Sequence, residues 1–439
     1  MEITVKLEKL MINDLFGHFN HVVNFKEGNI TIITAPNGYG KTVVLKVIDA
    51  IFNRKLAFLC DLQFSSIELH TSEGILKISK QIENDSNKII LGHSNQKKSH
   101  EYSRGYELSK NKKISIHGID MHIPFLQRIG PREWEDNRTG EIYTIDEVIE
   151  NFGEYLPDEF TTKKYPQWYI DFSDLLNSHF IQDQRLIQRK PPTGHGRNKS
   201  FTDTIEKYAD ELSGLIRESG FQSSHVSQQL DTTFPVRLLR KDQNFKALEA
   251  EKLKAELQAL QSKRADLSDF NLLSSEQHLP ALHVLDEIKE EDTKVLTLYV
   301  EDTYAKLEAY DEIYKKIELF SRILNNKRLS FKKIRIDADK GFYFETESSR
   351  PLKLTQLSSG EQHQVVLLYE LIFKTEKNVL VLIDEPEISL HVAWQKEFLN
   401  DLQEIINIQN MPVVIATHSP QIIDGNWDLT VDLEEGFVA

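Results

Sequence analysis

Only one cysteine, Cys60, occurs in the 439 residues, which excludes an internal disulfide and any zinc site built from several cysteines, and fits a reducing interior. Cys60 itself reads as a small buried apolar residue. Basic residues fall short of acidic ones: Lys and Arg number 53 against 68 Asp and Glu, a net charge of −15. Such a balance gives no overall basic field for a nucleic-acid backbone and leaves only local basic grooves for that contact. No apolar run approaches the roughly 20 residues of a membrane span, and the N-terminal MEITVKLEKL alternates like a strand instead of forming a signal peptide. The expectation is a cytoplasmic protein with no membrane partner. What the chain does have is length and 40% hydrophobic content, enough for a large core and two or three domains.

The most informative stretch is NITIITAPNGYGKT, Asn29 to Thr42. Ile30 to Ile33 reads as a buried strand that stops at a Pro-Asn-Gly turn, and Gly40-Lys41-Thr42 opens an amphipathic helix through Val44, Leu45, Val47, Ile48 and Ile51. A loop that wraps a polyphosphate must aim successive backbone N–H groups inward, so glycines sit where a Cβ would block the approach. Pro36, Asn37, Gly38, Tyr39 and Gly40 form that loop. Lys41 would bring a point charge to the β and γ phosphates of ATP, Thr42 a hydroxyl to Mg2+, and the helix its positive dipole end. Ala35 takes the first position of the G-x-x-x-x-G-K-[ST] pattern.

Around this loop the chain alternates between sheet and helix signals. Ile3, Val5 and Leu7, then Val22, Val23 and Phe25, predict strands; residues 66–81 predict a hairpin closed by Ser-Glu-Gly, with another strand at Lys88–Leu91. Asp146–Phe152 and Thr202–Glu218 have helical spacing, and Ser178–Leu186 looks like a strand with polar residues at its end. Residues 189–200, RKPPTGHGRNKS, predict a loop, read as solvated in preference to a nucleic-acid contact. Apolar residues at Leu253, Leu257, Leu260 and Leu267, then from Leu296 to Phe320, give two helical stretches around a polar turn near Ser274–His278. They predict either a short antiparallel coiled-coil arm with helices about 40 Å long, or helices packed in an ordinary domain. From Leu329 to Phe344 the alternation of a hairpin returns.

Three further motifs complete a site. VLVLIDEPE (379–387) is an apolar strand ending in carboxylates, expected beside the phosphate loop's own strand. At its tip Asp384 can join the Mg2+ shell and Glu385 can take a proton from the attacking water. The strand Pro412–Ala416, expected next to the Asp384–Glu385 strand, ends at His418, which that place favours as a γ-phosphate sensor, although a histidine there is often only structural. LSSGEQ (357–362) opens another helix with small residues, a second anion site by the same physics. One nucleotide does not need two such loops on one subunit, so the second is assigned to a neighbour's ATP.

Together APNGYGKT, LSSGEQ, VLVLIDEPEISLH and ATHSP resemble the ATP-binding-cassette ATPases of the RecF and SMC group, and most closely in style the OLD-like AAA-family ATPases. The resemblance covers roughly residues 1–80 and 328–432. It implies an α/β fold: an ABC-ATPase head, a mixed sheet flanked by helices with a P-loop, carrying a helical or short coiled-coil insert. The implied domains are 1–95 and 328–439 for the two halves of the head, 96–240 for a variable α/β insert and 241–327 for a helical arm. It also implies Walker A at Gly40, Lys41 and Thr42; a signature loop at Ser358, Ser359, Gly360 and Glu361 acting in trans; Walker B at Asp384 with Glu385 as catalytic base; a D-loop at Ser389, Leu390 and His391; and His418 as switch histidine. For the Mg2+-ligating glutamine, Gln184 is the first choice and Gln127 the second.

The long separation of Lys41 from Ser358 argues against a transporter subunit, and the short arm against chromosome tethering. The chain stops soon after His418 with no acidic D-x-D cluster, so no nuclease of its own is expected. The layout is similar to the stand-alone ATPases of antiphage systems, the AriA type of PARIS first and the PtuA type of Septu second. That similarity implies at least a homodimer and a separately encoded effector nuclease, of Toprim type before HNH type. The alternative from another class is a RecF-like ATPase clamping DNA through an ATP-driven dimer, with nucleic acid the less favoured partner. A third reading is a scaffold that uses ATP as dimer glue.

Overall fold

The computed structural model describes residues 5–434 except 84–85, 104–106, 109–121, 124, 137–141, 153–154, 156–160, 163–164, 183–186, 190–200, 240–246, 274–288, 290–291, 327–328, 330 and 376–377. Two compact units divide the chain: Met1–Thr202 with Lys374–Ala439, and Asp203–Phe373.

In the first unit a parallel sheet has the strand order Ser178–Ile181, Leu380–Asp384, Val413–Ala416, Ile30–Thr34, Thr430–Asp432. Parallel strands covered on both faces read as unbroken apolar runs, and LVLID, VVIA and ITII are buried at every position. The expected adjacency of the Asp384 strand and the phosphate-loop strand is corrected here. Val413–Ala416 lies between them, pairing Ala416 with Asp384 on one side and with Ile33 on the other. The place of Val413–Ala416 beside the Asp384 strand is as expected; an apolar run does not announce both its neighbours, so its insertion before the phosphate-loop strand escaped the sequence.

The helix Lys41–Phe52 leaves that sheet with its apolar side chains from Val44 onward buried. Leu45, Ile48 and Ile51 share one core with Leu380, Leu382 and Val414 of the parallel sheet and with Leu10, Ile12, Ile67 and Leu69. The last four belong to an antiparallel sheet ordered Phe19–Asn24, Leu7–Leu15, Ser66–Thr71, Gly74–Glu83, Ser86–His93, His100–Ser103. Its central hairpin closes with Thr71 opposite Gly74, as the Ser-Glu-Gly signal predicts. Each such Leu or Ile contributes about 1.5–3 kcal/mol on burial, so the core fixes the axis of the helix that opens at Lys41. A small satellite core around Trp134 joins the strands Leu126–Arg128, Glu133–Asp136 and Ile142–Thr144 to the helix Ile145–Phe152.

The second unit begins with the helix Thr204–Leu239, which runs well past the Glu218 expected from the sequence. It runs through Pro235 in its last turns, where Arg237 Nη2 donates to the Leu230 carbonyl at 3.0 Å and its guanidinium pairs with Asp302 at 2.6 and 2.7 Å. The helix Ala250–Asp269 buries the expected Leu253, Leu257, Leu260 and Leu267. At 20 residues it is about 30 Å long, shorter than expected. The second helical stretch is two helices, Thr293–Glu308 and Asp311–Asn326. The expected turn near Ser274–His278 and the loop of residues 190–200 lie outside the described residues.

The returning alternation is a hairpin, Lys332–Asp337 with Gly341–Thr346, edged by Pro351–Leu352. Gly341 turns it with a φ of +70°, and a Cβ there would fall on the Ala209 carbonyl oxygen. Only glycine fits. Next comes the helix Ser359–Tyr369. The architecture is thus an α/β unit holding a parallel and an antiparallel sheet, and a second unit that is mostly helical, as expected for a head with a helical insert. Among the described residues no helix is long and apolar enough to cross a membrane.

Candidate nucleotide-binding site

The carboxyl ends of three adjacent parallel strands carry the site. The strand Ile30–Thr34 ends in the loop Ala35–Gly40, whose Pro36, Asn37 and Gly38 are exposed. Gly38 and Gly40 have φ of +88° and +83°, the left-handed turns that aim backbone N–H groups into a cradle. A side chain at Gly40 would also press on Leu15 at 3.2 Å. Tyr39 is anchored: its ring lies 5.3 Å from that of Phe19, and its carbonyl accepts from Nε2 of the buried His21 at 2.8 Å. Burial holds His21 below the usual imidazole range, in its neutral form. A hydrogen bond to Glu434 raises the Tyr39 phenol.

Lys41 is 5% exposed, and its Nζ donates to the Ala35 carbonyl at 3.0 Å. Burial lowers its pKa, opposed by Glu385, Glu387 and Asp384. The same Nζ lies 3.1 Å from Nδ1 and 2.7 Å from Nε2 of His418, and Nε2 lies 3.0 Å from Glu385 Oε1. One ring nitrogen cannot accept from Lys41 and donate to Glu385 together. The tautomer of His418 therefore decides whether Nε2 serves Lys41 or Glu385. Thr42 Oγ1 donates to Asp384 Oδ1 at 3.1 Å.

Glu385 sits in the left-handed region, φ 42° and ψ 58°, immediately after its strand. A non-glycine residue pays about 1–2 kcal/mol for that conformation, and here it turns the carboxylate toward His418. Its N–H donates to the Ala416 carbonyl at 2.9 Å. Glu387 was not singled out from the sequence. Its Oε1 accepts from the His418 N–H at 2.7 Å, while its Oε2 is buried without a hydrogen-bond partner. Ser389, Leu390 and His391 follow in the turn beyond, where His391 caps the short helix Val392–Gln395 by accepting from the Ala393 N–H.

Of the two glutamines expected near Mg2+, one falls among the described residues. Gln184 lies outside the described residues. Gln127 sits in the strand Leu126–Arg128, paired with Glu135 in a sheet separate from the parallel one. The residue at the strand tip is Gln182: Ile181 pairs with Ile383, so the next position stands level with Asp384. The signal that finds it is the register, which apolar periodicity does not reveal.

In the second unit Ser358 caps the helix Ser359–Tyr369 in a capping box. Its N–H and Oγ both donate to Glu361 Oε2, at 2.8 and 2.9 Å, and Lys332 Nζ donates to the two Glu361 oxygens at 2.7 and 2.8 Å. Ser358 and Ser359 are exposed and Glu361 is buried. Burial would raise the Glu361 carboxyl, but Lys332 and Ser358 outweigh it and hold it below its ordinary value. The result is a helix N-terminus with its first turn locked and its small residues outward.

Similar curated proteins match only in part. Protein ea59 of Escherichia phage lambda is 31% identical over 26% of this chain and 22% of its own length. The thiamine import ATP-binding protein ThiQ of Chelativorans sp. (strain BNC1) is 33% identical over 19% of this chain and 33% of its own. The chain thus spans a third or less of the relatives it matches. Among solved structures, the Smc head domain of Pyrococcus furiosus with an extended coiled coil, bound to the C-terminal domain of ScpA, is 14% identical with a TM-score of 0.35, covering 95% of this chain and 91% of that one. The SMC head domain of Thermotoga maritima gives 12%, 0.32, 95% and 91%. The AAA_15 family, the AAA ATPase domain, matches residues 6–423, and the chain belongs to this ATPase family.

Proposed function

We propose that the protein binds ATP with Mg2+ at the Lys41 loop, hydrolyses it, and uses the cycle to control a separately encoded effector nuclease in antiviral defence. The observation that carries the hydrolytic part is the convergence of Lys41, Thr42, Asp384, Glu385 and His418 within hydrogen-bond reach at one edge of the parallel sheet. In this reading the polyphosphate takes the Gly38–Gly40 cradle, and the phosphate oxygens replace His418 as the partner of Lys41. Glu385 then takes the proton of the attacking water, and His418, released from Lys41, donates to the terminal phosphate.

The donor set fits Mg2+, which takes few protein ligands and is completed by phosphate and water. Thr42 and Asp384 offer two hard oxygens 3.1 Å apart, and among the described residues there is no His, Cys, Asp or Glu cluster of the kind a protein-only metal cage needs. Held there, the ion would supply charge neutralisation at the β and γ phosphates.

The Ser358–Glu361 loop is the proposed contact for the nucleotide of a second copy, so that two ATP molecules close a homodimer and hydrolysis opens it. The motif resemblance to stand-alone antiphage ATPases supports the effector role.

One experiment addresses each level. Lys41→Ala should abolish nucleotide binding, and tagged Glu385→Gln should form an ATP-dependent dimer and co-purify with its partner from the native host. A co-purifying nuclease supports the controller reading. DNA in its place, lost steeply with salt, favours a DNA-clamping ATPase. A Glu385→Gln protein that stays monomeric in saturating ATP refutes the dimer.

A further inference from the structure

One buried amide that belongs to none of the motifs ties two parts of the site together. Gln395 ends the short helix Val392–Gln395 and is 9% exposed. Its Nε2 donates to the Leu390 carbonyl at 2.9 Å and to the Glu387 carbonyl at 3.2 Å, and its Oε1 accepts from the Ser419 hydroxyl at 2.7 Å. The donor end therefore holds the turn after Glu385, and the acceptor end holds the residue after His418. A primary amide has donors and acceptor at opposite corners, so the arrangement is polar and cannot be reversed without setting oxygen against two carbonyls.

Two more bonds join the same segments. Glu387 Oε1 accepts from the His418 N–H at 2.7 Å, and the Glu385 N–H donates to the Ala416 carbonyl at 2.9 Å. Hydrogen bonds of this kind weaken steeply outside roughly 2.7–3.2 Å, so the turn 387–391 and the loop 417–419 move as one frame or lose bonds. The outer side of that frame is apolar and open, with Ile388 60% and Val392 55% exposed. Its inner side carries His418, against Lys41 and Glu385.

We infer that Gln395 is a positioning residue for hydrolysis: it carries any displacement of the turn 387–391 to His418, and so to Glu385 and Lys41. The inference rests on the reading of this site as an ATP-hydrolysing centre. A Gln395 that merely stabilised its helix would alter melting temperature and leave turnover per folded molecule alone.

The test compares Gln395→Leu, Ser419→Ala and Ser419→Thr with wild type for ATP affinity, kcat and melting temperature. A misplacement of this size lowers kcat about tenfold or more in Gln395→Leu and Ser419→Ala, with ATP affinity changed less than about twofold, and Ser419→Thr, which keeps the hydroxyl, stays near wild type. Adding Gln395→Leu to His418→Ala should cost nothing further, because both act through the same ring. Unchanged kcat in the single variants, or losses that multiply in the double, overturns the inference. Should wild type show no turnover, the hydrolytic reading fails separately, and the frame is tested by the imidazole 15N–1H resonance of His418, identified by its loss in His418→Ala. That resonance shifts in Gln395→Leu and Ser419→Ala but not in Gln403→Ala, on the exposed face of the helix Phe398–Gln409. An unmoved His418 resonance overturns the inference as well.

Discussion

Replacing Lys332 by methionine should damage the cap of the Ser359–Tyr369 helix far more than a surface lysine would. Lys332 and Glu361 are 19% and 6% exposed at the side chain, and the ammonium bonds both carboxylate oxygens. Removing one member of a buried pair costs about 3–5 kcal/mol, because the survivor is left charged and unpaired. Glu361 keeps two donors from Ser358 and water reaches the lysine end, so the expected loss is about 2–3 kcal/mol at neutral pH. The pH dependence is sharper still. In wild type the Glu361 carboxyl lies below its ordinary value, so its contribution is full above the unfolded pKa of about 4.3 and is lost as pH falls through the folded value. In Lys332→Met only the two Ser358 donors oppose burial, so that carboxyl rises relative to wild type: the variant's deficit should be largest near pH 7 and shrink toward pH 4. Equilibrium urea unfolding at both pH values measures this, with Lys332→Met/Glu361→Gln as the double-mutant partner, expected to recover about 1–2 kcal/mol. A deficit below about 0.5 kcal/mol, or one that does not change with pH, would refute the reasoning.

Other expected outcomes are simpler. Gly341→Ala should cost about 2–4 kcal/mol in urea unfolding, from its positive φ and the Ala209 carbonyl in the path of the Cβ; a loss under about 1 kcal/mol would mean the hairpin moves freely. Lys41→Met should remove the thermal shift produced by ATP and Mg2+ while leaving the ligand-free melting temperature equal or higher. Burial lowers the Lys41 pKa, a cost present while the lysine is charged in both states and relieved only as pH rises through the folded value; a marked drop in ligand-free melting would contradict this. Glu385→Gln should lower single-turnover hydrolysis about 100-fold or more with ATP affinity nearly unchanged, and equal losses in both would deny Glu385 the role of base.

Short, strongly patterned elements were legible from the sequence because their chemistry is local. The Lys41 loop, the Asp384–Glu385 strand tip and the helix after Ser358 each combine an apolar period with glycines or caps, and the structure brings Lys41, Thr42, Asp384, Glu385 and His418 together. What was not legible depends on register and on long-range neighbours. Val413–Ala416 entered between two strands expected to be adjacent, and the pairing register sets Gln182 level with Asp384. Lys332 and Gln395 gave no sign in sequence, since a lysine beside a hairpin and a glutamine in a four-residue helix are ordinary until their partners are known.

The strand order also bears on how the protein is made. Ile30–Thr34 is flanked by Val413–Ala416 and Thr430–Asp432, and the contacts of Lys41 with His418 and of Thr42 with Asp384 span 377 and 342 positions. At 5–20 residues per second a ribosome needs about 20–75 s to supply the later partner of such a pair. Through that interval the first strand of the nucleotide site is an apolar ribbon with both edges open, the kind of surface that pairs with the wrong chain. High contact order slows the closing step further. Competence to hold ATP thus waits for strands that emerge long after the loop itself, and nucleotide-dependent stabilisation during synthesis would mark the moment at which the sheet closes.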